Sequence, residues 1–234
     1  FDLLRAIAIV RVVTYHMFPL TALELGFPSM GVMFALGGSL MANSLDRSPG
    51  GTVIRGRVRR LLPALWVMGL ILVPLMLVTD WGHRPFWPGL LLWIVPLATP
   101  PAGHGLGDVA AEGAGVLWYL ATYLWLVLLS PLLLRLYRRQ RVLTIVVPLV
   151  ALALLHNEPL TTGNPAVTTA GYVLTFLPCW VLGFAHRDGD LRAVRPAIAY
   201  GIAVLCMVAG LGWVLGHPGP GGLDLVPFPL AHAL

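Results

Sequence analysis

The sequence has 234 residues, of which 58% are hydrophobic and only 11% charged, with a mean hydropathy of +0.83. A water-soluble domain carries about 25% charged residues, so this chain lacks the polar surface to cover a globule in water, and a lipid bilayer is the solvent that fits. The net charge of +5 rests on arginine, without a single lysine; the arginines gather at the ends of apolar runs, where cytoplasmic loops collect them, so the charge does not imply nucleic acid.

Apolar segments run at roughly 3–22, 29–45, 61–79, 86–99, 115–134, 142–156, 168–186, 196–216 and 223–234. A spanning helix needs about 20 residues, within a range of about 17–25, and most of these segments qualify or nearly do. The predicted architecture is therefore all-α: a polytopic transmembrane helix bundle of about eight membrane-embedded segments plus a truncated ninth. The chain starts at Phe1 without methionine and stops at Leu234 inside an apolar run. Residues 1–234 are accordingly expected to form a single integral membrane domain, incomplete at the C-terminus and missing its first residues. Phe1–Leu23 is not a signal peptide, because Arg5 and Arg11 interrupt it and the usual order of charged, apolar and cleavage regions is absent.

Three arginine clusters orient the bundle: Arg55, Arg57, Arg59 and Arg60; Arg135, Arg138, Arg139 and Arg141; and Arg187, Arg192 and Arg195. The positive-inside rule puts all three in the cytoplasm of a multi-pass inner-membrane protein. Loops on one side must be separated by an even number of spans. Two apolar segments separate the second and third clusters, but three separate the first and second, so one of those three is expected not to cross. The short 86–99 segment, which contains Pro88 and Pro96, is the natural candidate for a re-entrant or interfacial element.

The first segment holds the strongest chemical signal. Arg5 and His16 are eleven residues apart; on a helix they return to within about 20° of one face, about 16 Å apart along the axis. Ionisable residues inside a spanning helix are costly and mark function by default. His16 is readily neutral near physiological pH and can accept a proton; the competing structural role is a histidine hydrogen-bonded within the bundle. Weaker signals have simpler explanations. Cys179 and Cys206 lack metal-ligand spacing and read as buried thiols. Asp188-Gly189-Asp190 mimics an acidic metal motif, but Asp-Gly is a turn signal. His83 and His104 are not at zinc spacing, and no metal site is expected. Trp81, Trp87, Trp93, Trp118 and Trp125 read as interface belt or bundle packing. Asp108 and Glu112 read as loop carboxylates, with orientation of His16 as the alternative role for one of them.

The Asp2-x-x-Arg5-Ala6…His16 pattern resembles the acyltransferase-3 family of bacterial membrane O-acyltransferases, whose first helix carries Arg-x10-His. Phe34, Gly38 and Leu40 fit the family's second-helix motif, with Gly37 in place of its serine. Arg57-Val-Arg-Arg60-Leu-Leu-Pro63 fits its Arg-x-x-Arg entry to helix three. Leu117-Trp118 through Pro131 follows its fifth-helix spacing, but Tyr123 and Leu124 stand where the family often has two glutamates. The resemblance implies transfer of an acyl group, often acetyl, from cytoplasmic acyl-CoA to a hydroxyl of a sugar, cell-envelope glycan or glycosylated metabolite. It casts His16 as general base or acyl relay, with Arg57, Arg60 and Arg5 holding the phosphates or pantetheine arm of the donor. Acyl-CoA is the only cofactor expected, and the partners are the bilayer and a carbohydrate acceptor. Two rival readings stand beside it. A transporter or flippase would use Arg5 and His16 to line a path for an anion. A lipid-linked glycosyltransferase would use Asp188 and Asp190.

Overall fold

The computed structural model describes residues 2–18, 29–79, 87–103, 113–154 and 164–216, and among these residues every regular element is helical. In chain order they are α1 (Asp2–Met17), α2 (Ser29–Leu45), α3 (Gly50–Thr79), α4 (Trp87–Leu90), which runs into a 3-10 turn at Leu91–Trp93, α5 (Leu117–Arg139), α6 (Arg141–Leu154), α7 (Pro165–Asp188), α8 (Asp190–Ala193) and α9 (Pro196–Gly216). Among the described residues three helices are long and apolar enough to cross a membrane: α3, the stretch Gly113–Arg139 that includes α5, and α7. The apolar segment 223–234 and the residues His83, His104, Asp108 and Glu112 lie outside the described residues.

The segments expected at 29–45 and 196–216 coincide with α2 and α9. The third does not stop at its arginines: α3 begins at Gly50 rather than 61, so Arg55, Arg57, Arg59 and Arg60 lie on a helix and not in a loop. Arginine is a good helix former, and no proline interrupts the chain between Pro49 and Pro63. Pro63 and Pro74 sit inside α3, as prolines do in membrane helices where neighbours satisfy the freed backbone groups.

The chain divides into two compact units. Unit one comprises Phe1–Arg47, Ser130–Pro159 and Leu174–Leu234. In it α1 packs on α2, and α2 lies against α7 at backbone contact. A Cβ at Gly38 would fall into the carbonyl oxygen of Trp180, and one at Gly183 into the carbonyl oxygen of Ala35. Small residues that let backbones approach are the usual means of holding helices together in lipid, where burial from water cannot drive them. Phe34 stacks on Phe176 at 4.5 Å along the same seam, and the buried indole of Trp180 donates to Ser130 Oγ at 2.9 Å. Cys179 is a free thiol, only partly buried, beside Gly31.

Unit two comprises Ser48–Leu129 and Leu160–Val173. Its core joins Leu65 and Met76 of α3 to Trp93, Ala114 and Leu117. The segment expected at 86–99 holds only seven helical residues, Trp87–Trp93, before an irregular stretch. Those residues rise about 12 Å at helical geometry, well short of the ~30 Å hydrocarbon core. The irregular backbone is satisfied from within the unit. Trp66 Nε1 donates to the Ile94 carbonyl at 2.9 Å, Trp125 Nε1 to that of Leu97 at 2.8 Å and Trp93 Nε1 to that of Pro101 at 3.1 Å. Two of the tryptophans read from sequence as belt or packing residues are therefore hydrogen-bond donors to non-helical backbone.

Candidate functional site

The backbone of α1 carries Arg5 and His16 eleven positions apart on one continuous helix. Their side chains lie outside the described residues. The described positions divide α1 by environment: Ala8 is buried and Arg11 and Val12 are half-buried, whereas Leu3, Leu4, Ile7, Val10 and Val13 are exposed. In helical register, positions 5, 12 and 16 fall on one side.

Arg57 and Arg60, read as a pair, have different surroundings. Arg60 is exposed and Arg57 half-buried. Nη1 of Arg57 donates to Tyr123 Oη on α5 at 3.0 Å. A hydrogen bond from a charged donor contributes about 1.5–3 kcal/mol. Tyr123 is the position that departs from the glutamate expected on this helix, so the side chain standing in for the carboxylate meets an arginine. Tyr123 also stacks on Tyr119 at 6.2 Å, and Trp118 lies against Tyr172 at 4.6 Å. A band of aromatic rings thus runs beside the half-buried guanidinium. Arg5 and His16 belong to unit one, Arg57 and Arg60 to unit two.

Unit one has a polar end that motif reading missed. Ser39 Oγ lies 3.2 Å from His186 Nδ1, and both line a cavity of about 310 Å³ with Asn43, Arg47, Arg187 and Arg192. Beside it, Arg138 grips Asp188 through Nε and Nη2 at 2.9 and 2.8 Å and reaches Asp46 at 2.8 Å. Asp190 accepts from Tyr137 Oη at 2.6 Å and pairs with Arg141 Nη1 at 2.8 Å. Both carboxylates of the Asp-Gly-Asp stretch are thereby engaged by arginine. Gly189 between them has φ +85°, the left-handed conformation glycine favours at the end of a helix. That is the turn predicted from the sequence. Among the described residues no group of three histidine, cysteine, aspartate or glutamate side chains is gathered as a metal site would require. The only sequence trace of the Ser39–His186 contact is the four-residue spacing of Ser39 and Asn43 on α2, with Arg47 four further on in the turn after it.

A family model described as an acyltransferase domain matches residues 1–231 of the chain. No curated protein and no solved structure matches it.

Proposed function

Since the chain belongs to the acyltransferase-3 family and is an acyl-transferring membrane enzyme, we propose that it moves an acyl group, acetyl being the favoured one, from cytoplasmic acyl-CoA to a hydroxyl of a sugar, cell-envelope glycan or glycosylated metabolite. His16 in its neutral form takes the proton of the acceptor hydroxyl as that oxygen attacks the thioester carbonyl. The new C–O bond forms, the C–S bond breaks, and the departing thiolate takes up the proton to leave as the CoA thiol. Arg57 and Arg60 hold donor phosphates, for which the guanidinium fork is suited, and Arg5 is assigned to donor binding by the family resemblance alone. The bundle crosses the inner membrane with its arginine clusters inside, through about eight embedded segments and a ninth, with 86–99 re-entrant.

The observation that supports this reading most is the family match over nearly the whole chain, together with the half-buried Arg57 held by Tyr123. A cation fixed within the helix packing, at the arginine-rich end of α3, is preorganised for an anion in a way that an exposed anchoring arginine is not. Mass spectrometry of glycans and secondary metabolites, from cells with and without the full-length gene, tests the activity. An ester-linked acyl group present only with the gene is the expected result; identical profiles in every fraction would count against it. Neutral replacement of both Arg57 and Arg60 is expected to raise the acyl-CoA KM by about 10–150-fold, with a smaller effect on the acceptor KM. Lysine at both positions is expected to rescue only part of the loss. An unchanged donor KM would reduce these arginines to membrane anchors.

A further inference from the structure

We propose that the arginine-lined cavity of unit one is a phosphate-binding site, distinct from the Arg57 and Arg60 pair and independent of their assignment. Three observations carry it. First, the cavity of about 310 Å³ is lined by Ser39, Asn43, Arg47, His186, Arg187 and Arg192, and no carboxylate is among its lining residues. This volume is at the lower end of small-ligand sites, which run from about 300 Å³ upward.

Second, the nearby carboxylates are already committed. Arg138 takes Asp188 and one oxygen of Asp46, Arg141 takes Asp190, and Arg187 reaches the other oxygen of Asp46 at 3.5 Å. Among the described residues, neither Arg47 nor Arg192 comes within ion-pair distance of a carboxylate. Arg47 and Arg192 are exposed and line the same cavity, so a phosphate bound there meets a charged donor from each.

Third, the surrounding structure fixes where the donors stand. Ser39 and Asn43 lie one turn apart on α2 and Arg47 in the turn that follows it, while the left-handed Gly189 turns the chain from α7 into α8, bringing Arg192 to the same cavity as His186 and Arg187. Neutral donors from Ser39 and Asn43 complement the charged ones, as in sites that bind phosphate oxygens. The ligand chemistry is a phosphate ester, and two sources present one: the nucleotide phosphates of a CoA donor and the headgroup of an anionic phospholipid.

The test uses full-length protein in nanodiscs. Coenzyme A is titrated calorimetrically into wild type and an Arg47→Gln/Arg192→Gln variant in pure phosphatidylcholine. Thermal unfolding is then compared with and without phosphatidylglycerol in the disc. A fall in CoA affinity of about tenfold or more identifies the donor as the source. Unchanged CoA affinity, with loss of a phosphatidylglycerol-dependent rise in Tm, identifies the lipid. If neither changes, the site is not a phosphate site. Should the double variant fail to fold, Arg192→Gln alone, at an exposed position of the four-residue α8, carries the same comparison. A loss of CoA affinity here alongside unaltered affinity in an Arg57→Gln/Arg60→Gln variant would sink the donor role of that pair and leave this site standing.

Discussion

The two units hold themselves together by opposite means. In unit one, α2 and α7 meet backbone to backbone, with Gly38 and Gly183 at points where no side-chain carbon fits. In unit two, α3 and α5 leave room for a non-helical segment and satisfy its carbonyls with the indoles of Trp66 and Trp125. One seam fails when an atom is added, the other when a donor is removed. Their arginines differ in the same way: those beside the unit-one cavity neutralise a knot of aspartates, whereas Arg57 in unit two leans on a neutral tyrosine. Lipid imposes both solutions, because neither helix association nor unpaired backbone receives help from water.

The sharpest way to break this contrast is to add a methyl group to glycines of each unit. Gly38→Ala and Gly183→Ala press a carbon into backbone atoms that cannot rotate away, and each is expected to cost about 3 kcal/mol, at the upper end for overpacking. Gly56→Ala on α3 meets nothing within 4 Å and is expected to be neutral or to stabilise its helix by up to about 1 kcal/mol. Thermal unfolding in detergent checks this. Equal tolerance at Gly183 and Gly56 would mean that α2 and α7 are not at backbone contact.

Removing donors from unit two is expected to have an intermediate effect. Trp66→Phe and Trp125→Phe keep most of the apolar surface but strip the Ile94 and Leu97 carbonyls of their indole donors, at about 1–3 kcal/mol each if the site stays dry. Cysteines placed at 94–99 in a thiol-free background are expected to become more accessible to a water-soluble reagent in these variants. If labelling is the same with and without the indoles, these hydrogen bonds do not hold the segment in place.

The smallest effect is expected at Tyr123. Tyr123→Phe retains the ring and its stacking on Tyr119 but removes the oxygen that accepts from Arg57. The acyl-CoA KM is expected to rise about 2–10-fold, less than that charged hydrogen bond contributes because Arg57 itself remains to meet the donor, while kcat changes less. A kcat loss at constant donor KM would place Tyr123 in the chemistry rather than beside the donor.

These elements differ in how far the residue pattern reveals them. Ser29–Leu45 and Pro196–Gly216 are legible because glycine, proline or charge brackets a largely apolar, uncharged run. The start of α3 is not, since a run of charge does not mark whether a helix has ended, and arginine extends one readily. Spacing put Arg57 and Arg60 together but does not reveal which of two residues three apart faces a neighbouring helix; only Tyr123, sixty-six residues away, separates them. The Ser39–His186 contact joins positions 147 apart, and no local period encodes such a pairing. The Asp-Gly turn, by contrast, is local chemistry, and its φ followed from two adjacent residues.

Activity of the full-length enzyme with His16 replaced tests the catalytic proposal most directly. Membranes carrying wild type or His16→Ala are supplied with labelled acetyl-CoA, and acetyl ester formed on acceptor is measured alongside protein level and detergent stability. If His16 is the base, its loss lowers transfer by about 10²–10⁴-fold in a protein that still expresses and unfolds like wild type. Transfer near the wild-type rate by a well-folded His16→Ala protein would contradict it and send the search for the base elsewhere.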